Sequence, residues 1–289
     1  MNKLIIKSLP RLIYRFFFIR WANYETNKFA KELEENFKPS GKTALFYPHL
    51  PSPKASVRNA LVGLGYSIIA DKNQVHDIAI AWHDATFKDF KNINPNALNA
   101  GCVDISKNYL DEVHQKVFGY SITLDPSKSQ GKILEKSDIN GAHFANIVET
   151  PVQPKEGFVY QKLLTNKVGA YYQDIRVVIV GKEMPVCYSV SRIEVKRFSA
   201  KKIKALLVSP DDFLSKDEQR QIFNLCEEMK VDFAAIDIIR HDEDQKIYAI
   251  DMNTTAFGPV HGLSLREKRI VNEKYKNSLQ KLIIARTKA

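Results

Sequence analysis

The chain has 289 residues, 44% of them hydrophobic, and 43 Lys and Arg against 33 Asp and Glu give it a formal charge of +10 and a pI near 9.3. That is enough apolar material for one large domain or two to three small ones with a buried core, and it favours anionic partners such as a nucleotide, a polyphosphate, an acidic sugar, a nucleic acid or the inner membrane face. Cys102, Cys187 and Cys226 are odd in number, far apart and without metal-ligand spacing, which argues against a disulfide framework or a zinc site and fits a reducing, cytoplasmic compartment.

The first segment places Lys3, Lys7, Arg11 and Arg15 every fourth residue among Leu4, Ile5, Leu9, Leu12, Ile13 and Phe16. Its longest apolar run, 16 to 19, is too short to span a bilayer, and interspersed charge argues against a cleaved signal. Two readings stay open for residues 1–20: a basic amphipathic helix in peripheral contact with anionic lipid, or an arm packed on the protein's own core, with Pro10 interrupting any single helix. Residues 23–37 read as a helix, with Phe29, Leu33 and Phe37 on one face. Strands at 43–47, 66–70 and 77–82 alternate with a helix near 54–64, the pattern of a small parallel α/β layer. No G-x-G-x-x-G or Walker loop follows any of them.

From 104 to 118 the spacing of Ile105, Tyr109, Leu110, Val113 and Val117 is helical, and Gly119 supplies the stop. Strands are expected at 121–124, 131–137, 147–149, 158–164, 173–181 and 184–193. Ser215 and Glu218 form a capping box opening a helix with Ile222, Phe223, Leu225, Cys226 and Met229 as its buried stripe. Strands at 232–240 and 246–252 follow, and Val271, Tyr275, Leu279 and Leu282 mark a terminal helix.

The stretch from Val231 to Pro259 carries most of the chemical information, because two apolar strands flank the polar turn 242–245. A turn centred on Asp244 sets Asp237 directly opposite Asp251, where like charges repel. Asn253 projects from the same face as Asp251, since strand side chains alternate. Three oxygen donors on one patch suit hard Mg²⁺ completed by phosphate and water. The plain alternative is a solvated strand end with one acid protonated or paired to Arg240.

This pattern, apolar-apolar-Asp-apolar-apolar, a turn, then apolar-acid-x-Asn, resembles the metal-binding hairpin of ATP-grasp enzymes, in particular the glutathione synthetase-like and glutamate-adding ligases. The resemblance implies that Asp237, Asp251 and Asn253 hold magnesium on the ATP phosphates; Asp251 stands where the family usually has Glu. The stretch Asp174 to Arg192 is similar to the family's D-I-R strand and a following strand that ends in Arg. The resemblance puts Asp174 at the nucleotide site and implies that Arg176 and Arg192 bind the transferring phosphoryl group or the substrate carboxylate, roles that suit a permanently charged bidentate donor. An odd loop, 181–183, makes Arg176 oppose Tyr188 and Arg192 oppose Tyr172, so both arginines share one face. Upstream, Lys136 in 131–143 looks like the strand lysine that contacts the α-phosphate, ahead of a loop with one glycine, Gly141. Lys107 stands in place of the earlier nucleotide lysine, and Gln161, Lys162 and Leu163 in place of the adenine hinge.

The implied fold is α+β, an ATP-grasp fold preceded by a small parallel α/β layer, divided into 1–100 (arm and layer), 101–165 (small subdomain) and 166–289 (large subdomain with the metal hairpin). The implied activity is an ATP- and Mg²⁺-dependent carboxylate-amine or carboxylate-thiol ligase working through an acyl phosphate on a small-molecule or polymer-linked substrate. A non-catalytic ATP-binding module, associated with the membrane surface, is the alternative. Nucleic acid is not expected, because the lysines are not interleaved with stacking aromatics on a sheet. His143 and His261 lie near the proposed loops.

Overall fold

Sheet pairing divides the chain into three β-layers in a computed structural model that describes residues 24–142, 144–194, 204–256 and 263–287. The arm at 1–20, His143 and His261 lie outside the described residues. No described helix is long and apolar enough to cross a membrane.

Helix α1 (24–35) leads into a parallel sheet of order β2-β1-β3, made of β1 (Thr43–Pro48), β2 (Ser67–Ile69) and β3 (Ile78–Trp82), with α2 (Ser56–Gly63) between the first two. Its strands are apolar on both sides, as parallel strands covered on both faces must be. Helix α3 (Lys107–Phe118) is capped by the Ser106 hydroxyl, which accepts from the Tyr109 N–H at 3.2 Å. Gly119 ends it at φ 81°, a left-handed conformation that glycine adopts without a Cβ penalty. An antiparallel sheet of order β5-β4-β6 follows, built from β4 (Gly131–Ser137), β5 (Ala145–Thr150) and β6 (Phe158–Lys162).

The large antiparallel sheet runs β10-β9-β8-β11-β12, with β7 (Lys167–Val168) paired to β8 (Tyr171–Val180). The other members are β9 (Glu183–Arg192), β10 (Lys204–Val208), β11 (Phe233–Arg240) and β12 (Ile247–Asn253), with α4 (Lys216–Glu228) and α5 (Leu265–Thr287) between and after them. The expected capping box is present: Ser215 and Glu218 each take the other's backbone N–H, at 3.2 and 2.8 Å.

The two faces of this sheet have different tasks. One face sends Ile175, Val177, Ile179, Ile236 and Ile238 into a core with Leu110 and Val113 of α3 and Ile222 and Leu225 of α4. The opposite face is half covered by α5, whose Tyr275 and Leu279 join Val180 and Phe233 to Phe46, Leu61 and Ile80 of the parallel layer. The remaining half carries the charged side chains. All three cysteines are buried and unpaired, as the sequence leads one to expect.

Some expectations need correction. Residues 121–124 form no strand; only Thr123 makes a bridge, to Gln161, because Asp111 draws this segment into a turn by accepting the Ile122 and Thr123 N–H groups at 2.8 and 3.1 Å. Strand β6 stops at Lys162, and Leu163 lies past it. The short strands β7 and β10 have no periodic signal long enough to show in the sequence.

Candidate active site

Asp237 and Asp251 face each other across β11 and β12, and Asn253 faces Ala235 two residues on. The register that achieves this is not the simple one. At the tip Arg240 faces Ile247 and Ile238 faces Ala249, and then the register shifts by one between Asp237 and Ile238. Ile250 is the extra residue of this β-bulge. Before it, Ile247 and Ala249 point into the helix-covered core; after it, Met252 does. The bulge inverts the alternation and turns Asp251 and Asn253 toward the open face, the effect of a one-residue slip.

The arginine hairpin uses the same device. Arg176 faces Tyr188 and Arg192 faces Tyr172, but the turn is the two-residue Gly181-Lys182, not three residues, with Val180 opposite Glu183. A shift between Val178 and Val180 restores the register and places the extra residue of β9 at Met184-Pro185, where proline has no N–H to give a ladder.

Because β8 pairs with β11, Arg176 lies beside Asp237 and donates from Nη1 to both carboxylate oxygens, at 2.9 and 3.1 Å. Burial opposes the Arg176 charge, but Asp237 and Asp251 outweigh it and push its pKa up. Arg192 is ion-paired with Asp174, whose other oxygen accepts from Asn166 Nδ2 at 2.9 Å. Asp174 is thereby engaged in positioning Arg192. The Arg192 Nε is buried with no hydrogen-bond partner among the described residues. Asp251 differs from its neighbours: burial first, then the Asp237 charge, pushes its carboxyl up, against Lys107, Lys136 and Arg176, and it has no ion pair among the described residues. Arg240 is not its partner, because Glu218 holds the Arg240 guanidinium through two bonds of 2.8 Å.

The small sheet approaches from above. Lys136, Leu134, Val159 and Gln161 share one face of β4 and β6, since antiparallel partners project together. Burial pushes the Lys136 ammonium down to about 8, partly offset by Asp251 and Asp237, which ties that face to the carboxylates. Lys107, the first residue of α3, is also lowered by burial and supported by Asp251 and Asp138; it donates to the Ile139 carbonyl at 3.2 Å. Gln161 is buried. At Lys162 the N–H donates to the Ile122 carbonyl at 2.8 Å and the ammonium reaches the Tyr248 hydroxyl at 3.3 Å, which clasps the hairpin tip. Leu163 alone of the three hinge positions follows the strand.

Several contributors escaped sequence reasoning. Asn140, in the loop after β4, donates to the Met252 carbonyl at 3.0 Å, and Asp138 accepts from the Asn108 N–H at the start of α3 at 3.0 Å. Lys88, buried and lowered in pKa by that burial, donates to the Thr254 hydroxyl at 2.7 Å. The Thr255 hydroxyl donates to Asp84 at 3.0 Å, and the Thr255 N–H donates to Asn253 Oδ1 at 2.8 Å. Asp84 and Lys88 follow β3, at the carboxyl end of a parallel strand, where open α/β sheets place their ligand-facing residues; that rule is the available signal.

The donor set fits a divalent cation of the magnesium type. It consists of two facing carboxylates and a carboxamide, all hard oxygens, and Asn253 Oδ1 keeps a lone pair beyond its bond to Thr255. Among the described residues no group of three or more His, Cys, Asp and Glu could hold a metal, so the amide is needed as third ligand.

No family model and no curated protein sequence matches the chain. Solved structures do. The ATP-grasp ligase PsnB, complexed with its minimal precursor, superposes with a TM-score of 0.56 at 12% identity, covering 86% of this chain and 100% of that one. D-alanine–D-alanine ligase from Bacillus anthracis, complexed with ATP, gives 0.52 at 12% identity over 86% of this chain and 98% of that one. PsnB with a phosphomimetic precursor variant, Mg and ADP gives 0.52 at 11% identity over 83% and 100%. With the strand orders and the carboxylate register already described, these likenesses show that the chain has the ATP-grasp fold.

Proposed function

We propose that the protein is an ATP-dependent ligase that activates a carboxylate as an acyl phosphate and joins it to an amine or thiol. The observation that carries this reading is Asp251: a carboxylate set opposite a second carboxylate and left without an ion pair among the described residues is tolerable where a cation is to be bound. Asp237, Asp251 and Asn253 would hold Mg²⁺, which when bound neutralises β- and γ-phosphate charge. Lys107 and Lys136 supply cations toward the phosphates from the small sheet, and Gln161 and Leu163 line the nucleotide side. Arg176 and Arg192 stabilise the charge that spreads as a substrate carboxylate oxygen attacks the γ-phosphorus and ADP leaves, positioning and electrostatic help of the kind phosphoryl transfer needs. The nucleophile then adds to the acyl carbon, phosphate departs and the nucleophile gives up a proton. No side-chain nucleophile is required.

The precursor bound by PsnB and the ATP bound by the D-alanine ligase support a small-molecule or polymer-linked carboxylate as substrate and ATP with Mg²⁺ as cosubstrate. The same proposal divides the chain at 1–100, 101–165 and 166–289, a reading supported by the three separate sheets among the described residues. A cytoplasmic setting, and contact of residues 1–20 with the inner membrane face, belong to the same proposal.

The test incubates purified protein with ATP, Mg²⁺, hydroxylamine and pools of amino acids, sugar acids or peptides. Substrate-dependent phosphate release together with hydroxamate supports the ligase. Tight ATP binding with neither supports the non-catalytic module.

A further inference from the structure

Asp84, Thr86 and Lys88, spaced by two residues after β3, each hold a different part of the site. The Thr255 hydroxyl donates to Asp84 at 3.0 Å, the Asn140 N–H donates to the Thr86 hydroxyl at 2.7 Å, and Lys88 donates to the Thr254 hydroxyl at 2.7 Å. Thr86, Lys88, Thr254 and Thr255 are all buried, while Phe87 between them is exposed. The segment is itself fixed to the start of α3: the Lys88 N–H donates to the Val103 carbonyl at 2.7 Å, and the Ile105 N–H to the Thr86 carbonyl at 3.0 Å.

Two pieces meet on this comb. One is the loop 138–142 after β4, which also reaches Met252 through Asn140 Nδ2 at 3.0 Å. The other is the turn 254–255, whose Thr255 N–H and hydroxyl lie 2.8 and 3.2 Å from Asn253 Oδ1. Burying a lysine ammonium against a hydroxyl has a desolvation cost that a surface lysine avoids. A purely structural contact at this position would be served by an apolar side chain.

We propose that Asp84, Thr86 and Lys88 are positioning residues that fix the carboxamide of Asn253 and the loop 138–142 in one frame, so that metal binding and loop docking are coupled through the N-terminal layer. This rests on the nucleotide and metal reading above. None of the three belongs to the proposed metal donor set of Asp237, Asp251 and Asn253. They act through Thr254, Thr255 and Asn140.

The experiment uses the full chain and ADP as probe, titrated calorimetrically with Mg²⁺ and again with EDTA. Wild type should bind ADP more tightly with Mg²⁺. Lys88→Met should lose about tenfold of that Mg²⁺-dependent gain while its affinity in EDTA stays within about twofold, the size expected when an outer partner of a metal ligand is removed, and Lys88→Arg should recover part of it. Thr86→Val, nearly isosteric, should speed amide hydrogen exchange across 138–142 by about fivefold without nucleotide, since it removes one hydrogen bond worth roughly 1 kcal/mol. Equal losses with Mg²⁺ and EDTA, no loss at all, or unchanged exchange in Thr86→Val would overturn the coupling. Absence of any Mg²⁺ effect in wild type would overturn the functional reading and this inference with it.

Discussion

The two hairpins of the large sheet are built alike and charged differently. Both have an even turn, a one-residue bulge on the returning strand, and a pair of functional side chains brought onto the open face beyond it. In the arginine hairpin each cation finds its anion: Arg192 has Asp174, and Arg176 has Asp237 on the adjacent strand. In the carboxylate hairpin one acid, Asp251, is left without an ion pair among the described residues, with like charge opposite it. The difference separates what the fold satisfies by itself from what it holds ready for a ligand.

Deleting Ile250 attacks what the hairpins share. Without the bulge residue Asp251 takes the regular position opposite Asp237, and the alternation from Ala249 through Asp251 to Met252 keeps Asp251 and Asn253 toward the open face. The variant is expected to fold, by circular dichroism, and to keep a Mg²⁺ response in nucleotide binding; a folded variant that loses that response entirely would contradict the register argument. Arg192→Met attacks the self-satisfied hairpin, because it leaves Asp174 buried with only Asn166. Urea unfolding should show a loss of about 3–5 kcal/mol, as for breaking a buried pair.

Asp251→Asn tests the unsatisfied hairpin, and its two readouts should move in opposite directions. Mg²⁺-dependent ADP affinity should fall by about 100-fold, at or beyond the upper end of outer-partner effects. The thermal midpoint without metal should rise by roughly 2 °C as the cross-strand repulsion disappears. A fall in both would make Asp251 a structural acid.

Lys136 gives the pH dependence. With a pKa pushed down to about 8 it is protonated below that pH and neutral above it, so ATP binding above pH 8 must take up a proton. Affinity is expected to fall by about tenfold per unit above that point, with the inflection absent in Lys136→Arg, whose guanidinium stays charged. By linkage, the folded protein binds fewer protons than the unfolded chain between about 8 and the ordinary lysine value, so this group's contribution to stability rises with pH across that window. Ser215→Ala, at the start of α4, should cost only about 1 kcal/mol of stability, as the loss of a helix cap.

Much of this was legible in the sequence where period and punctuation agree. Gly119 stops α3, Ser215 and Glu218 cap α4, and the facing pairs Asp237 with Asp251 and Arg176 with Tyr188 occur as expected. The facing pairs were reached through turns taken one residue out of place. Pro185 could have signalled its bulge, whereas nothing in the residues around Ile250 marks one. Lys88, Thr86 and Asn140 stayed hidden because their partners lie between 54 and 166 positions away, and a single lysine or threonine in a loop carries no local pattern. The contacts of Lys162 were hidden for a related reason: its N–H donates to the Ile122 carbonyl in a turn that Asp111 organises across an intervening helix end.

The most direct measurement is a crystal structure of the full chain with a non-hydrolysable ATP analogue and Mn²⁺, located by its anomalous scattering. The account predicts manganese bonded to Asp237, Asp251 and the Asn253 amide oxygen beneath the triphosphate, with Lys136 and Lys107 toward the phosphates. Nucleotide bound elsewhere, or bound here with no anomalous peak between the two aspartates, would contradict it.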